Sequence, residues 1–403
     1  MTAETGADVF CRGSVEDGAA VAGRRRGEKQ DTVMAELSSR ERLLRCLRHE
    51  PTDRVPISTY ELVGWNRNAW ENREPSYRRL MDAIREKTDC IYMLQPEWKS
   101  VAVPGMETET WREGKSTFTR TTYHTPKGNL SCLERVDDDL HTRWTLEHLL
   151  KDIEDIHRYE AIRYEPPELD MRNFIGEREA LGEKGIMMIS VDDPICVVAE
   201  LFEMGQFLVH AISNEGRIKR FLDMIHERQM DCLGKILQYD VRDVVFRVCG
   251  PEYATPPYLS PEYFRKYVTG YLEEICRAIK EAGGFARAHC HGRIGNVVDQ
   301  MAAAGAEGLD PIEPPPDGDI EMGEVKRLYG ERLCLFGNLE LKELAFASRR
   351  RIDALVRKAM EEAKDGGGFV LMPTAAPINV PLSRRTEENY LQYIESGLKY
   401  GAY

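Results

Sequence analysis

Short apolar runs and longer amphipathic stretches take turns along most of the chain. The apolar runs, rich in β-branched residues, fall at 55–58, 90–94, 186–190, 244–249, 285–291, 308–312, 333–337 and 369–372. Between them lie stretches with apolar residues at helical spacing, among them 200–210, 215–238, 261–282, 294–304 and 350–364. Several of these end in glycine (Gly283-Gly284, Gly305, Gly366-Gly367-Gly368), the residue that closes a helix most easily. Strand and helix alternating over this length predict parallel βαβ units. Eight strand-like runs predict an α/β chain folded as a (β/α)8 TIM barrel, with a doubly wound open sheet as the alternative.

Two stretches stand outside this alternation. Ser38 followed by Glu41 is a capping-box signal, and Leu43, Leu44 and Leu47 make one apolar stripe, so a helix precedes the first strand and stops before Pro51. Residues 108–136 alternate polar and apolar positions, with turns at Glu113-Gly114 and Lys127-Gly128-Asn129. They predict a β-hairpin inserted after strand two, where a loop at the C-terminal rim of a barrel can act as a lid or simply cover the barrel edge.

Composition narrows the function. Residues 1–36 have no sustained apolar period and read as a disordered leader, with the barrel over 37–403 and Met34 as the expected native start. With 42% hydrophobic and 31% charged residues, the remainder can bury a large core. Acidic residues outnumber basic ones 68 to 55, net −13, which argues against nucleic acid or an anionic membrane as partner. The ten cysteines are scattered, and no apolar segment reads as a signal peptide or a membrane span. A reduced, cytoplasmic protein is expected.

A barrel carries its chemistry at the C-terminal ends of its strands. Strand five ends Arg287-Ala288-His289-Cys290-His291, so Arg287, His289 and His291 share one face. Two imidazoles at i and i+2 can chelate a divalent ion, or can form a hydrogen-bonded pair that positions a substrate or an oxyanion. The neighbouring strand four ends Cys249-Gly250-Pro251-Glu252, and Glu252 would complete a His2Glu zinc set with an open position, Cys249 being the softer alternative. Strand six supplies Asp310, expected with Arg287 to take part in catalysis, and Glu313 beside it could orient an imidazole. Tyr60, Tyr253, Asn338 and Asp193 are the expected substrate-binding residues, and the pair Asp192-Asp193 reads either as a cation site or, in preference, as turn chemistry. Trp98 and Tyr258 join them as hints of an apolar or aromatic ligand. No Gly-rich nucleotide loop follows a strand.

At these residues the chain resembles the uroporphyrinogen decarboxylase superfamily, in particular its corrinoid-dependent methyltransferase branch. The resemblance rests on Arg40-Glu-Arg-Leu-Leu-Arg-Cys-Leu-Arg-His-Glu-Pro-Thr-Asp-Arg-Val-Pro, Ser260-Pro-Glu-Tyr-Phe and His289-Cys-His-Gly. It rests equally on Ala304-Gly-Ala-Glu-Gly-Leu-Asp-Pro-Ile-Glu-Pro, Leu335-Phe-Gly-Asn-Leu and Gly366-Gly-Gly-Phe-Val-Leu-Met-Pro. It implies a (β/α)8 barrel and, for the methyltransferase branch, zinc bound through H-x-C on strand five and a second Cys after strand eight. Here those positions read His289-x-His291 and Ala375. The Arg-rich, propionate-gripping motif and the Asp after strand two of the decarboxylases are absent, Tyr92-Met-Leu-Gln-Pro standing at the latter. The resemblance therefore implies a methyltransferase working with a cobalamin carried by a partner corrinoid protein; a zinc held by His289, His291 and Glu252, harder than the thiolate-rich site of the branch, is expected to suit a small O- or N-methylated substrate. The alternatives are a carboxy-lyase acting on a porphyrinogen and a non-catalytic ligand-binding barrel.

Overall fold

A computed structural model of the protein describes residues 36–99 and 104–403. The leader expected over 1–36 lies, apart from Glu36, outside the described residues.

The strands are β1 (Cys90–Met93), β2 (Glu97–Lys99), β3 (Met106–Glu113), β4 (Ser116–Thr125), β5 (Gly128–Asp137), β6 (Leu140–Glu147), β7 (Glu168–Asp170), β8 (Gly185–Asp192), β9 (Val244–Cys249), β10 (Phe285–Cys290), β11 (Gly308–Pro311), β12 (Cys334–Leu339) and β13 (Phe369–Pro373). Seven of them form one parallel sheet in the order β1-β8-β9-β10-β11-β12-β13. Spatial order follows chain order throughout, so there is no point of reversal such as a doubly wound sheet requires. The eighth run, 55–58, spans the two edges of this curled sheet. Ile57 bridges to Leu371 in parallel, Ser58 N donates to Leu371 O and Leu371 N to Pro56 O, each at 2.9 Å. On its other side Asp89 N donates to Ile57 O at 2.7 Å, just before β1 begins. Pro56 has no N–H to give, which keeps this stave short.

The alternation of side chains separates two cores. Ile91, Ile186, Met188, Val245, Phe336, Val370 and Met372 point inward and pack against Leu43, Leu44 and Leu47 of the helix Ser39–Leu47, which plugs the N-terminal end. That helix starts at the expected cap: Ser38 Oγ accepts from Glu41 N at 3.2 Å. Outward residues such as Met187, Ile189, Val244 and Phe246 pack against the surrounding helices. The plug is also tied by charge. Buried Asp89 accepts from Arg42 Nη1 at 2.7 Å, Arg54 Nη1 at 2.7 Å and Ile57 N at 2.9 Å, joining helix, first stave and β1.

The excursion after strand two is larger than a hairpin. β3, β4, β5 and β6 form a four-stranded antiparallel meander, and β2 pairs separately with β7. All nine described cysteines are free thiols. Among the described residues no helix is long and apolar enough to cross a membrane.

Candidate active site at the barrel mouth

Strand register sets the site. Asp192, Cys249, His289 and Asp310 lie opposite one another on β8, β9, β10 and β11, forming one layer at the C-terminal rim. Ser190, Arg247 and Arg287 form the layer beneath. Since Val245 and Phe285 face the interior, Arg247, Cys249, Arg287 and His289, at even spacing from them, face it too.

His289 and Asp310 are both buried, with Nδ1 2.7 Å from Oδ2. Arg287 lies under them, its Nε 2.9 Å from Asp310 Oδ1 but not aligned for a hydrogen bond. Its guanidinium sits 4.8 Å from the Phe336 ring centre. Burial pushes the Asp310 carboxyl up, but Arg287 and His289 outweigh it and hold the group down at about 2. Burial likewise depresses His289, more than Asp310 can restore, to about 4. At neutral pH the pair is thus a carboxylate beside a neutral imidazole. The carboxylate only accepts, so the ring proton sits on Nδ1 and Nε2 carries the lone pair.

That lone pair faces Tyr60. The Tyr60 hydroxyl is 3.4 Å from Nε2, and the two rings lie 6.0 Å apart at 28°. Tyr60 adopts φ 55°, a left-handed conformation rare for an aromatic residue, which turns the ring into the mouth. Arg247 Nη1 donates to the Tyr60 hydroxyl at 2.8 Å and to Glu61 Oε1 at 3.2 Å, while its Nε meets Cys249 Sγ at 2.9 Å. Burial holds the Cys249 thiol up at about 11 despite Arg247, so it stays protonated at neutral pH.

His291 is anchored the same way by a different carboxylate. Its Nδ1 is 2.9 Å from Glu313 Oε1, and Gly292 N donates to Glu313 Oε2 at 2.6 Å. Burial lowers this imidazole, but Glu313 outweighs it and the net shift is upward. The two imidazoles stand 4.7 Å apart and nearly perpendicular, at 89°. Neighbouring groups whose environments drive their pKa values apart divide into acceptor and donor. Here His289 is the acceptor and His291 the proton holder.

The zinc set expected from the sequence does not assemble. Each histidine has Nδ1 on a carboxylate, which leaves Nε2 as the nitrogen turned away from it and suits a metal ligand. Yet among the described residues no three His, Cys, Asp or Glu side chains come together as a metal-holding group. Glu252 is not a third donor beside His289 and His291; its Oε2 is buried without a partner among the described residues, and burial raises its carboxyl. After β13, Ala375 brings no side-chain donor, and its carbonyl accepts from Tyr390 at 3.4 Å. The residues present therefore do not fit a three-ligand zinc centre.

The other expected residues divide. Tyr60 is in the site. Asp310, in the same layer as His289, and Arg287, in the layer beneath, act on His289 as positioning residues. Asp193 is fully buried and caps the helix Pro194–Leu201, with Oδ1 accepting from Ile195 N at 3.0 Å, which is the turn-chemistry reading. Tyr253 donates to Glu200 Oε1 at 3.2 Å, and Tyr258 is exposed. Asn338 spends its amide on Ile312 O at 3.1 Å. Arg247 was not among the expected site residues; its signal was a single charge in an otherwise apolar strand.

Residues 149–382 match the uroporphyrinogen decarboxylase (URO-D) family. A uroporphyrinogen decarboxylase of Thioalkalivibrio sulfidiphilus is 30% identical over 121 residues, 28% of this chain and 31% of that one. A methylcobamide:CoM methyltransferase of Methanosarcina barkeri is 23% identical over 162 residues, 40% of this chain and 45% of that one. The chain thus spans less than half the length of the curated relatives it matches. A solved methyltransferase from Methanosarcina mazei shares the fold, with a TM-score of 0.58, 18% identity, and coverage of 91% of this chain and 99% of that one.

Proposed function

The chain belongs to the uroporphyrinogen decarboxylase (URO-D) family, and from that premise we propose that it is a cytoplasmic enzyme of the methyltransferase-like branch, moving a methyl group between a small O- or N-methylated substrate and a partner corrinoid protein. The observation that carries this reading is the perpendicular His289/His291 pair, each Nδ1 fixed by its own carboxylate so that each ring offers Nε2 to the chemistry.

Methyl transfer to a corrinoid needs little from the protein besides placement and one proton. The methyl carbon leaves oxygen or nitrogen for cobalt(I) of the corrinoid substrate, and the electron pair of the broken bond stays on the leaving atom. That atom then needs a proton, which His291 Nε2–H supplies; Glu313 on Nδ1 keeps the ring oriented and charged. Neutral His289 accepts a hydrogen bond at Nε2, from the Tyr60 hydroxyl when empty and from a donor on the substrate when full. The similarity to a methylcobamide:CoM methyltransferase supports the corrinoid partner, and that to a uroporphyrinogen decarboxylase keeps a carboxy-lyase in view.

The test offers the enzyme free cob(I)alamin in place of the corrinoid protein, with methanol, methylamines or 2-methoxyphenol as donor, and follows the corrin spectrum. Enzyme-dependent formation of methylcobalamin with any donor supports the proposal. Carbon dioxide release from uroporphyrinogen, with no methyl transfer, overturns it in favour of the decarboxylase reading. Neither activity overturns both and leaves a ligand-binding barrel.

A further inference from the structure

A cavity of about 390 Å³ lies behind the C-terminal end of β8, against the helix Glu215–Ile236. Neither histidine of the site lines it. One side is aliphatic, with Val191, Val197, Ile225 and Leu233; the other is aromatic, with Trp98, Tyr159 and Tyr164. A pocket of this size and lining suits a ligand of one or two rings.

Its polar groups narrow the ligand further. Arg228 sits 4.4 Å from the Tyr164 ring centre and 5.9 Å from that of Tyr159, so both tyrosine faces already carry a cation. A quaternary ammonium, the usual guest of an aromatic cage, would meet like charge there. A neutral ring would not. Gln229 Nε2 donates to Asp192 O at 2.9 Å, which fixes the amide and leaves Oε1 buried without a partner among the described residues. A buried acceptor without a donor is costly, and a ligand O–H or N–H would relieve it. Asp192 lies on the cavity wall nearest the site, sharing a barrel layer with His289 two strands away.

We propose that this cavity is a binding site, separate from the histidine pair, for a neutral aromatic ligand that carries a hydroxyl group. The proposal does not depend on the methyl-transfer reading above.

The test is binding alone, with no corrinoid present. 2-Methoxyphenol is titrated into wild-type protein by tryptophan fluorescence and equilibrium dialysis, beside 1,2-dimethoxybenzene and tetramethylammonium. Saturable binding of 2-methoxyphenol is expected, with tetramethylammonium at least tenfold weaker. Trp98→Phe should remove most of the fluorescence change while dialysis still detects binding. Cys232→Phe, which fills the cavity, should weaken binding at least tenfold. Gln229→Leu should abolish the preference for 2-methoxyphenol over 1,2-dimethoxybenzene, which keeps the test decisive if Cys232→Phe fails to fold. No saturable binding, unchanged binding in a folded Cys232→Phe, an unchanged preference in Gln229→Leu, or tighter binding of tetramethylammonium would each overturn the proposal.

Discussion

His289 and Asp310 meet across adjacent parallel strands, with Nδ1 2.7 Å from Oδ2, and this single contact decides which imidazole nitrogen faces the barrel mouth. An ionised Asp310 requires the proton on Nδ1. Nε2 is then the acceptor that faces the Tyr60 hydroxyl.

Asp310→Asn should break that arrangement. An amide can donate to Nδ1, which moves the ring proton to Nε2 and removes the acceptor. A loss of about 10²–10⁴-fold in kcat is expected, with a smaller change in KM. The positioning role is read by 15N NMR of His289, which should report the Nδ1–H tautomer in wild type and the Nε2–H tautomer in Asp310→Asn. The same tautomer in both would remove the role.

His291 has a raised pKa, so its proton-holding form is complete at low pH and is lost as pH rises through that value. If His291 is the acid, kcat for methyl transfer from oxygen falls with one proton as pH increases. Glu313→Gln removes the cause of the upward shift and should move the inflection to lower pH, toward or below about 6.5. A kcat–pH profile of both proteins checks this; an inflection that does not move excludes the Glu313–His291 pair as its origin.

His289 should leave a separate mark on stability. Its folded value, about 4, lies below the unfolded value of about 6.5. The unfolded chain therefore binds a proton that the folded one refuses as pH drops from 6.5 to 4, and stability falls across that window. Asp310, held at about 2, adds its own loss only below about 4. His289→Asn should flatten the decline of Tm between pH 6.5 and 4, and an undiminished slope would assign the decline elsewhere.

The base of the barrel is a stability site remote from the chemistry. Asp89→Ala leaves Arg42 buried without one of its two carboxylate partners and unpairs Ile57 N. Removing one partner of a buried ion pair costs about 3–5 kcal/mol. Urea denaturation should show a loss of that order, with 2-methoxyphenol binding to the folded protein unchanged. A loss under about 1 kcal/mol, the range of exposed pairs, would show that the network does not act as a buried one.

Much of this architecture was legible in the sequence because strand and helix periods differ sharply. Seven of the eight runs became strands of the curled sheet, the eighth, 55–58, is tied to it through the Ile57–Leu371 bridge, and Ser38 capped the helix its spacing announced. The insertion was underestimated because the turn between β5 and β6 is made by Asp138-Asp139, without the glycine that marks the preceding turns. The histidine pair was readable from i, i+2 spacing on one strand. Glu252 was not readable, since whether a residue past a strand end converges on its neighbours is decided by a turn: Gly250, at φ 101°, starts the short helix Pro251–Ala254 that carries it. Arg247 escaped for a related reason, its role resting on Tyr60 and Glu61, almost two hundred residues earlier in the chain.

The proton-delivering role of His291 is tested most directly by single-turnover methyl transfer to cob(I)alamin from a series of methyl ethers whose leaving groups differ in basicity. With His291 as the acid, wild-type rates depend weakly on leaving-group pKa. His291→Gln should be slower by at least 100-fold with the most basic leaving group and nearly normal with the least basic. Equal rates for wild type and His291→Gln across the series would contradict it.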